Sequence, residues 1–324
     1  MLIVQKFGGS SIADGDRLRR AAGICMRQRQ NGNEVVVVVS AMGDTTDLLA
    51  DRARVLGGKP SPREMDALIT TGEQQSAALL VMTMESLGIP AVSLAGWQAG
   101  IYTDCRYGDS DIRLIAPVRI REALSRGRVP VVTGFQGVCA AGDITSLGRG
   151  GSDTTAVALA AALESDCCEI YTDVDGIYTA DPRLIPDAVK LSAIDYRDML
   201  ALAEAGSQVL HAKSVELAMA NSVVIHLLSS FTDAPGSQVR ALRDGSRADF
   251  AGITRSRTSG EISLAGKAAD AAALSRAVLL LAAEGIEVLS GSVGDGRISV
   301  LVGEAEQPHA MQLLHREMIL DARK

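Results

Sequence analysis

Aromatic side chains are scarce in this sequence: one Trp, five Tyr and four Phe amount to 3% of 324 residues. Aliphatic groups must therefore fill the core. An excess of positive charge is missing too, since 32 Lys and Arg face 39 Asp and Glu for a net charge of −7. That balance argues against a nucleic-acid surface or an anionic membrane as the main partner, and a bound polyphosphate needs a metal ion and a few local bases. The five cysteines (Cys25, Cys105, Cys139, Cys167, Cys168) show no CxxC pair and no metal-ligand spacing, and their odd number is the pattern of a reduced cytosolic chain. No apolar run reaches the roughly 18 residues of a membrane span, and the opening MLIVQKFGG lacks the charged and long apolar regions of a secretory leader. The expectation is a soluble, cytoplasmic protein without a membrane partner.

What is present is ordinary globular material, 47% hydrophobic and 22% charged, with length enough for two domains. Strand-like segments at Leu2 to Val4, Glu34 to Val39, Ala91 to Leu94, Val129 to Thr133, Glu169 to Thr172 and Val223 to Leu228 alternate with helical patterns. The helices are expected over 17–29, over 64–87 with an interruption at 70–75, and over 112–126, 194–206 and 209–220. The run of five valines ending at Val39 suits a parallel strand covered on both faces. Successive strands stop in Gly, Ser, Thr or Asp loops, which implies a doubly wound α/β fold: a mainly parallel sheet, helices on both faces and a ligand edge at the carboxyl ends of the strands. This domain is expected to span 1–236. After a polar boundary near 237–247 the rhythm changes to strand, helix, strand, strand, helix, a small α+β domain over 248–324.

The densest chemistry lies between Thr145 and Leu184. Gly148, Gly150 and Gly151 surround Arg149 and lead through Ser152 and Asp153 into an alanine-rich helix, a geometry that aims unpaired N–H groups and a positive dipole end at an anion. A Gly-rich connection with an ordinary acidic first turn is the plain alternative. Lys6, followed by Gly8-Gly9-Ser10-Ser11 at a strand end, is either a point charge in a phosphate cradle or a surface lysine before a turn. Glu73, beside Gly72 in an apolar helical stretch, either faces solvent or points into a pocket. Asp173, Asp175 and Asp181 follow the next strand with Tyr178 and Arg183, an acidic loop suited to a ribose or metal, or a simple turn ended by Pro182.

Taken together, eight segments resemble the aspartokinases of the amino-acid kinase family, in the family's order over about the first 235 residues. They are Lys6 to Ser11, Val39 to Gly43, Thr71 to Gln74, Gly96 to Gly100, Gly134 to Gly137, Leu147 to Asp153, Tyr171 to Arg183 and Ser229 to Phe231. The resemblance implies transfer of the γ-phosphoryl of ATP to the side-chain carboxylate of L-aspartate, the first step toward lysine, threonine and methionine. It implies Lys6 as the transition-state cation, with Phe7, Gly8, Gly9 and Ser10 about the phosphates and Ser40 nearby. Asp153 would orient Lys6 or the substrate. Arg149 would fork the α-carboxylate and Glu73 would accept the α-amino group, with Thr46, Phe135 and Ser152 lining the pocket. Thr172, Asp173, Tyr178, Asp181 and Arg183 would hold the nucleotide. Mg²⁺ would bridge its phosphates, with no metal-ligating set of protein side chains. The acceptor, with a pKa of about 4, is already ionised and needs no general base. His211, His226, His309 and His315 accordingly fall in no motif.

The sequence departs from many relatives at Gln208, where a lysine is common, at Ala212, where proline is common, and at Gly266 to Asp270, which lacks a Pro-Gly effector loop. With an ACT-like C-terminal domain expected to be single and incomplete, feedback inhibition by lysine or threonine is expected to be weak or absent, and C-terminal pairing is expected to give a homodimer or a larger homo-oligomer. Two other readings are a kinase of a different small amino acid or carboxylate, and a non-catalytic amino-acid-binding relative.

Overall fold

The computed structural model describes residues 1–56 and 58–321; the last three positions of the expected C-terminal domain, 322–324, lie outside the described residues. The chain divides into two compact units, one made of 1–175 and 220–235, the other of 176–219 and the chain from 236 on. Residues 176–219 thus fold with the C-terminal segment.

In the first unit the elements are β1 (Leu2–Phe7), α1 (Gly15–Gln30), β2 (Glu34–Val39), α2 (Thr45–Val55), α3 (Pro62–Ile69), α4 (Thr71–Ser86) and β3 (Ala91–Leu94). They continue with β4 (Ile101–Thr103), β5 (Ile112–Ile115), α5 (Val118–Ser125), β6 (Val129–Thr133), β7 (Gln136–Cys139), β8 (Ile144–Ser146), α6 (Gly151–Leu163), β9 (Cys167–Thr172) and a last strand, Ile225–Ser229. The last strand, β9, β1, β2, β6 and β3 lie side by side in that order, all parallel. Alternation along the strands sends Phe7, Val35, Val37 and Val39 into a core with Leu18, Ala22 and Cys25 of α1 and Ala77, Leu80 and Met84 of α4. Helix α6 packs on β1 and β2 from the other face. The aliphatic, doubly covered sheet anticipated from composition and pattern is the one formed.

A smaller four-stranded sheet, in the order β5, β4, β7, β8, extends from this unit. Here the helix expected over 112–126 is corrected: Ile112–Ile115 is a strand, and the helix starts only after Pro117. Alternating Ile112 and Leu114 favour the strand, and Pro117 disfavours helical geometry at Ala116. Thr45–Val55, a segment for which no element is expected from the sequence, is helical.

The second correction concerns the cysteines. Cys105 and Cys139 form a disulfide across 34 positions, leaving Cys25, Cys167 and Cys168 free. Sequence spacing gives no sign of it, because it arises from the parallel pairing that sets Thr103 beside Cys139. In the chain-entropy picture, closing such a loop contributes about 4 kcal/mol. Cys105→Ser is expected to lower the urea midpoint under non-reducing conditions and to leave it unchanged once both proteins are reduced. Identical midpoints without reductant would show that the pair is not bonded in solution.

In the second unit, Gly252–Arg255, Glu261–Ala265, Arg297–Val302 and Val288–Gly294 form an antiparallel sheet in that order. Ile262, Leu264, Ile298 and Val300 meet Ala277 and Leu281 of the helix Ala271–Ala283 and Met311 and Leu314 of the helix Gln307–Leu314. The side chain of Asp270 caps the first helix by accepting from Ala273 N at 2.8 Å. Among the described residues no helix is long and apolar enough to cross a membrane.

Candidate active site

Strand alternation decides the fate of Lys6. Its neighbours Gln5 and Phe7 turn toward α1, so Lys6 turns toward α6, where Nζ lies 2.6 Å from Asp153 Oδ1. Both side chains are largely buried, 11% and 15% exposed, so water screens the pair poorly. Asp153 sits in the first turn of α6. Gly150, the residue that precedes this helix, adopts a left-handed φ of 72° and offers no capping side chain. The N–H groups of Ser152 and Asp153 have no hydrogen-bond partner among the described residues, so the turn presents free donors together with the positive end of the helix dipole.

Glu73 reaches the same place from α4. A Cβ on Gly72 would lie 2.8 Å from the Ala41 methyl, so only glycine lets α4 press against the loop after β2. This contact settles the ambiguity of the acidic residue beside it. Glu73 is 3% exposed, and its Oε1 accepts from Ala41 N at 3.0 Å. Its Oε2 is buried with no partner among the described residues. Desolvation pushes its pKa up to about 7 against the opposing pull of the backbone hydrogen bonds. A buried carboxylate oxygen without a donor is costly and marks the place where a ligand's N–H belongs.

One cavity of about 210 Å³ gathers Lys6, Ser40, Thr46, Glu73, Phe135, Arg149, Ser152 and Asp153, along with Gly148, Gly150 and Gly151. Arg149 is exposed and has no ion-pair partner among the described residues. The cavity therefore has an anion-seeking side, formed by Arg149, Lys6 and the start of α6, and an ammonium-seeking point at Glu73. That is the charge layout of an amino-acid site. Phe135 holds a left-handed φ of 69°, fixed by its N–H donating to Thr155 Oγ1 at 3.1 Å. Thr155 in turn donates to Gly151 O at 2.8 Å. Nothing in the alanine-rich run distinguishes Thr155 as this brace.

Other candidates are not among the residues that line this cavity. The Phe7 ring stacks on Tyr171 at 4.9 Å inside the α1 face, fully buried, so only its backbone borders the site. The Gly8 N–H is taken by Tyr171 O at 3.1 Å, while those of Gly9 and Ser10 have no partner among the described residues. Thr172 O accepts from Ser230 N at 2.9 Å, and Thr172 Oγ1 donates to Asp173 Oδ1 at 3.0 Å. Tyr178, Asp181 and Arg183 belong to the second unit. There the Arg183 guanidinium donates to Asp181 at 2.9 and 2.8 Å and holds its carboxyl below the usual range. Among the described residues no three His, Cys, Asp or Glu side chains are grouped to hold a metal.

The Amino acid kinase family model matches residues 1–229. An aspartokinase of Mycolicibacterium smegmatis is 49% identical over 269 residues, which is 82% of this chain and 64% of the relative. The chain therefore spans under two thirds of the length of that curated relative. The crystal structure of aspartate kinase from Synechocystis matches with a TM-score of 0.68 at 31% identity, covering 98% of this chain and 69% of that one. The structure of E. coli aspartokinase III in complex with aspartate and ADP has the same fold, with a TM-score of 0.86 at 20% identity over 98% of this chain and all of that one.

Proposed function

This chain belongs to the amino acid kinase family, and from that premise we propose that it transfers the γ-phosphoryl group of ATP to the side-chain carboxylate of L-aspartate. The observation that carries the reading is the cavity's pairing of a free arginine with a buried, donor-seeking glutamate beside Lys6. Aspartate's α-carboxylate takes the Arg149 fork and the N–H groups at the start of α6; its ammonium takes Glu73 Oε2. Thr46, Phe135 and Ser152 close the pocket around the side chain. The β-carboxylate, anionic at neutral pH, attacks phosphorus directly. One oxygen–phosphorus bond forms while the bond to the β,γ-bridging oxygen breaks, and ADP departs with the electron pair.

Two anions must approach one another, so catalysis amounts to holding them in line and neutralising charge on the transferring group. Lys6 supplies that charge, and Asp153 holds its ammonium in place. Gly9, Ser10 and Ser40 offer donors to the phosphates. Thr172 and Asp173 are nucleotide contacts at the end of β9; for Tyr178, Asp181 and Arg183 the family's motif order is the sole support. Among the described residues no acidic side chains are grouped to hold a metal, and Mg²⁺ enters as part of the MgATP substrate in this reading.

The C-terminal sheet and helices of the second unit make an ACT-like domain in this reading. Its edge strand Val288–Gly294, exposed at six of seven positions, supports pairing of two copies into a homodimer. A cytoplasmic location belongs to the same proposal. The test is an ADP-release assay on the purified chain across aspartate, glutamate and aspartate analogues, with and without Mg²⁺. Turnover with aspartate well above glutamate is expected; no aspartate-dependent ADP release in the presence of Mg²⁺ would sink the reading.

A further inference from the structure

Asp66 is a buried acid that the proposed reaction does not use. In the helix Pro62–Ile69 it looks like any solvent-facing charge, yet it is 1% exposed. Its Oδ2 accepts from Gly108 N and from Ser146 N, each at 2.9 Å, and its Oδ1 accepts from Ser146 Oγ at 2.6 Å. Burying a carboxylate is costly, and three donors from two separate segments are what offset it here.

Both segments border the loop that carries Arg149. Ser146 ends β8 and stands three residues before the arginine. Gly108 lies in the loop between β4 and β5, which is joined to the same place by Ser110 N donating to Ser146 O at 2.9 Å. The two walls touch at Gly148: a Cβ there would fall 2.6 Å from Asp109 Oδ1 and 3.3 Å from Gly108 O. A single carboxylate therefore clamps the strand that feeds the arginine loop to the segment on which that loop rests.

We propose that Asp66 is a positioning residue for substrate recognition: through Ser146 and Gly108 it fixes the 147–151 loop, and with it the direction in which Arg149 meets the α-carboxylate of the amino-acid acceptor. The inference rests on the reading of Arg149 given above. Asp66 touches neither acceptor nor nucleotide, so its effect appears in acceptor affinity and only where Arg149 is present to transmit it.

The test is a double-mutant cycle in steady-state kinetics on the full chain, with Asp66→Ala, Arg149→Ala, the double variant and Asp66→Asn. Asp66→Ala is expected to raise KM for aspartate about tenfold, with KM for ATP and kcat changing less than about twofold; in the Arg149→Ala background it should add less than about twofold. An asparagine keeps one acceptor for the two backbone N–H groups and can donate to Ser146 Oγ, so Asp66→Asn should stay within about threefold of the parent. Should Asp66→Ala fail to fold, Ser146→Ala removes one of the three hydrogen bonds. It should raise KM for aspartate about threefold, again only when Arg149 is present. Equal ratios in both backgrounds, or KM for ATP rising in step, would overturn the inference and leave the active-site reading intact. An Arg149→Ala enzyme with unchanged KM for aspartate would remove both.

Discussion

Replacing Lys6 by alanine is expected to lower kcat by about a hundred- to a thousandfold while KM for either substrate moves only about a few-fold. The argument is electrostatic. In the proposed reaction, negative charge on the transferring phosphoryl group is met by Lys6, whose own carboxylate partner is 2.6 Å away in a place mostly closed to water. Removing a fixed charge aimed at the transition state typically costs two to three powers of ten. A complication comes from the ion pair itself: deleting Lys6 strands Asp153, and breaking one half of a buried pair costs about 3–5 kcal/mol of stability. The companion Lys6→Met/Asp153→Asn removes both charges and keeps the volume, so its melting temperature should return toward the parent while its kcat stays low. ADP release measured at saturating aspartate and MgATP reads the effect; near-normal turnover in a folded Lys6→Ala protein takes Lys6 out of the mechanism.

Much of this site could be read from the sequence because it lies at strand ends, where small residues and charges stand out against apolar runs. Lys6, Ser40, Phe135 and Arg149 to Asp153 all follow such runs, and the structure brings them into one cavity. Contacts between segments distant in sequence could not be read that way. The direction of Glu73 depends on Gly72 meeting Ala41, a contact across 31 positions that no local pattern signals. Phe7 shares a motif with its neighbour Lys6, yet the two-residue period of a strand turns adjacent side chains to opposite faces. The Cys105–Cys139 bond and the Asp66 clamp depend on pairings among β4, β7 and β8, and neither has a local motif. A helix over 112–126 takes in a short strand because Ile112, Ile115 and Ala116 also fit helical spacing; Pro117 is the stronger local signal.

Glu73→Gln is expected to raise KM for aspartate about tenfold to a hundredfold, the cost of losing a charge-assisted hydrogen bond to an ammonium in a buried place. Its pH dependence is more telling. Burial raises the Glu73 pKa from 4.5 to about 7. In the parent enzyme, kcat/KM for aspartate should therefore fall about tenfold per unit as pH drops below about 7, because the ammonium must displace a proton, and level off above it. The aspartate groups titrate outside this window. Any contribution from the nucleotide phosphates persists in the variant, so an inflection that disappears in Glu73→Gln belongs to Glu73.

Linkage gives a second, independent readout. With its folded pKa above its unfolded one, Glu73 contributes stability that is fully present below about 4.5 and is lost as pH rises through about 7. At pH 8 the ionised, buried carboxylate thus weakens the fold, by up to about 3 kcal/mol. The glutamine variant, less able to bind aspartate, should unfold at higher urea than the parent at pH 8 and at nearly the same urea at pH 4.5. A midpoint difference of equal size at both pH values would mean that Glu73 does not carry the raised pKa, and the proton-coupled recognition of the ammonium would fall with it.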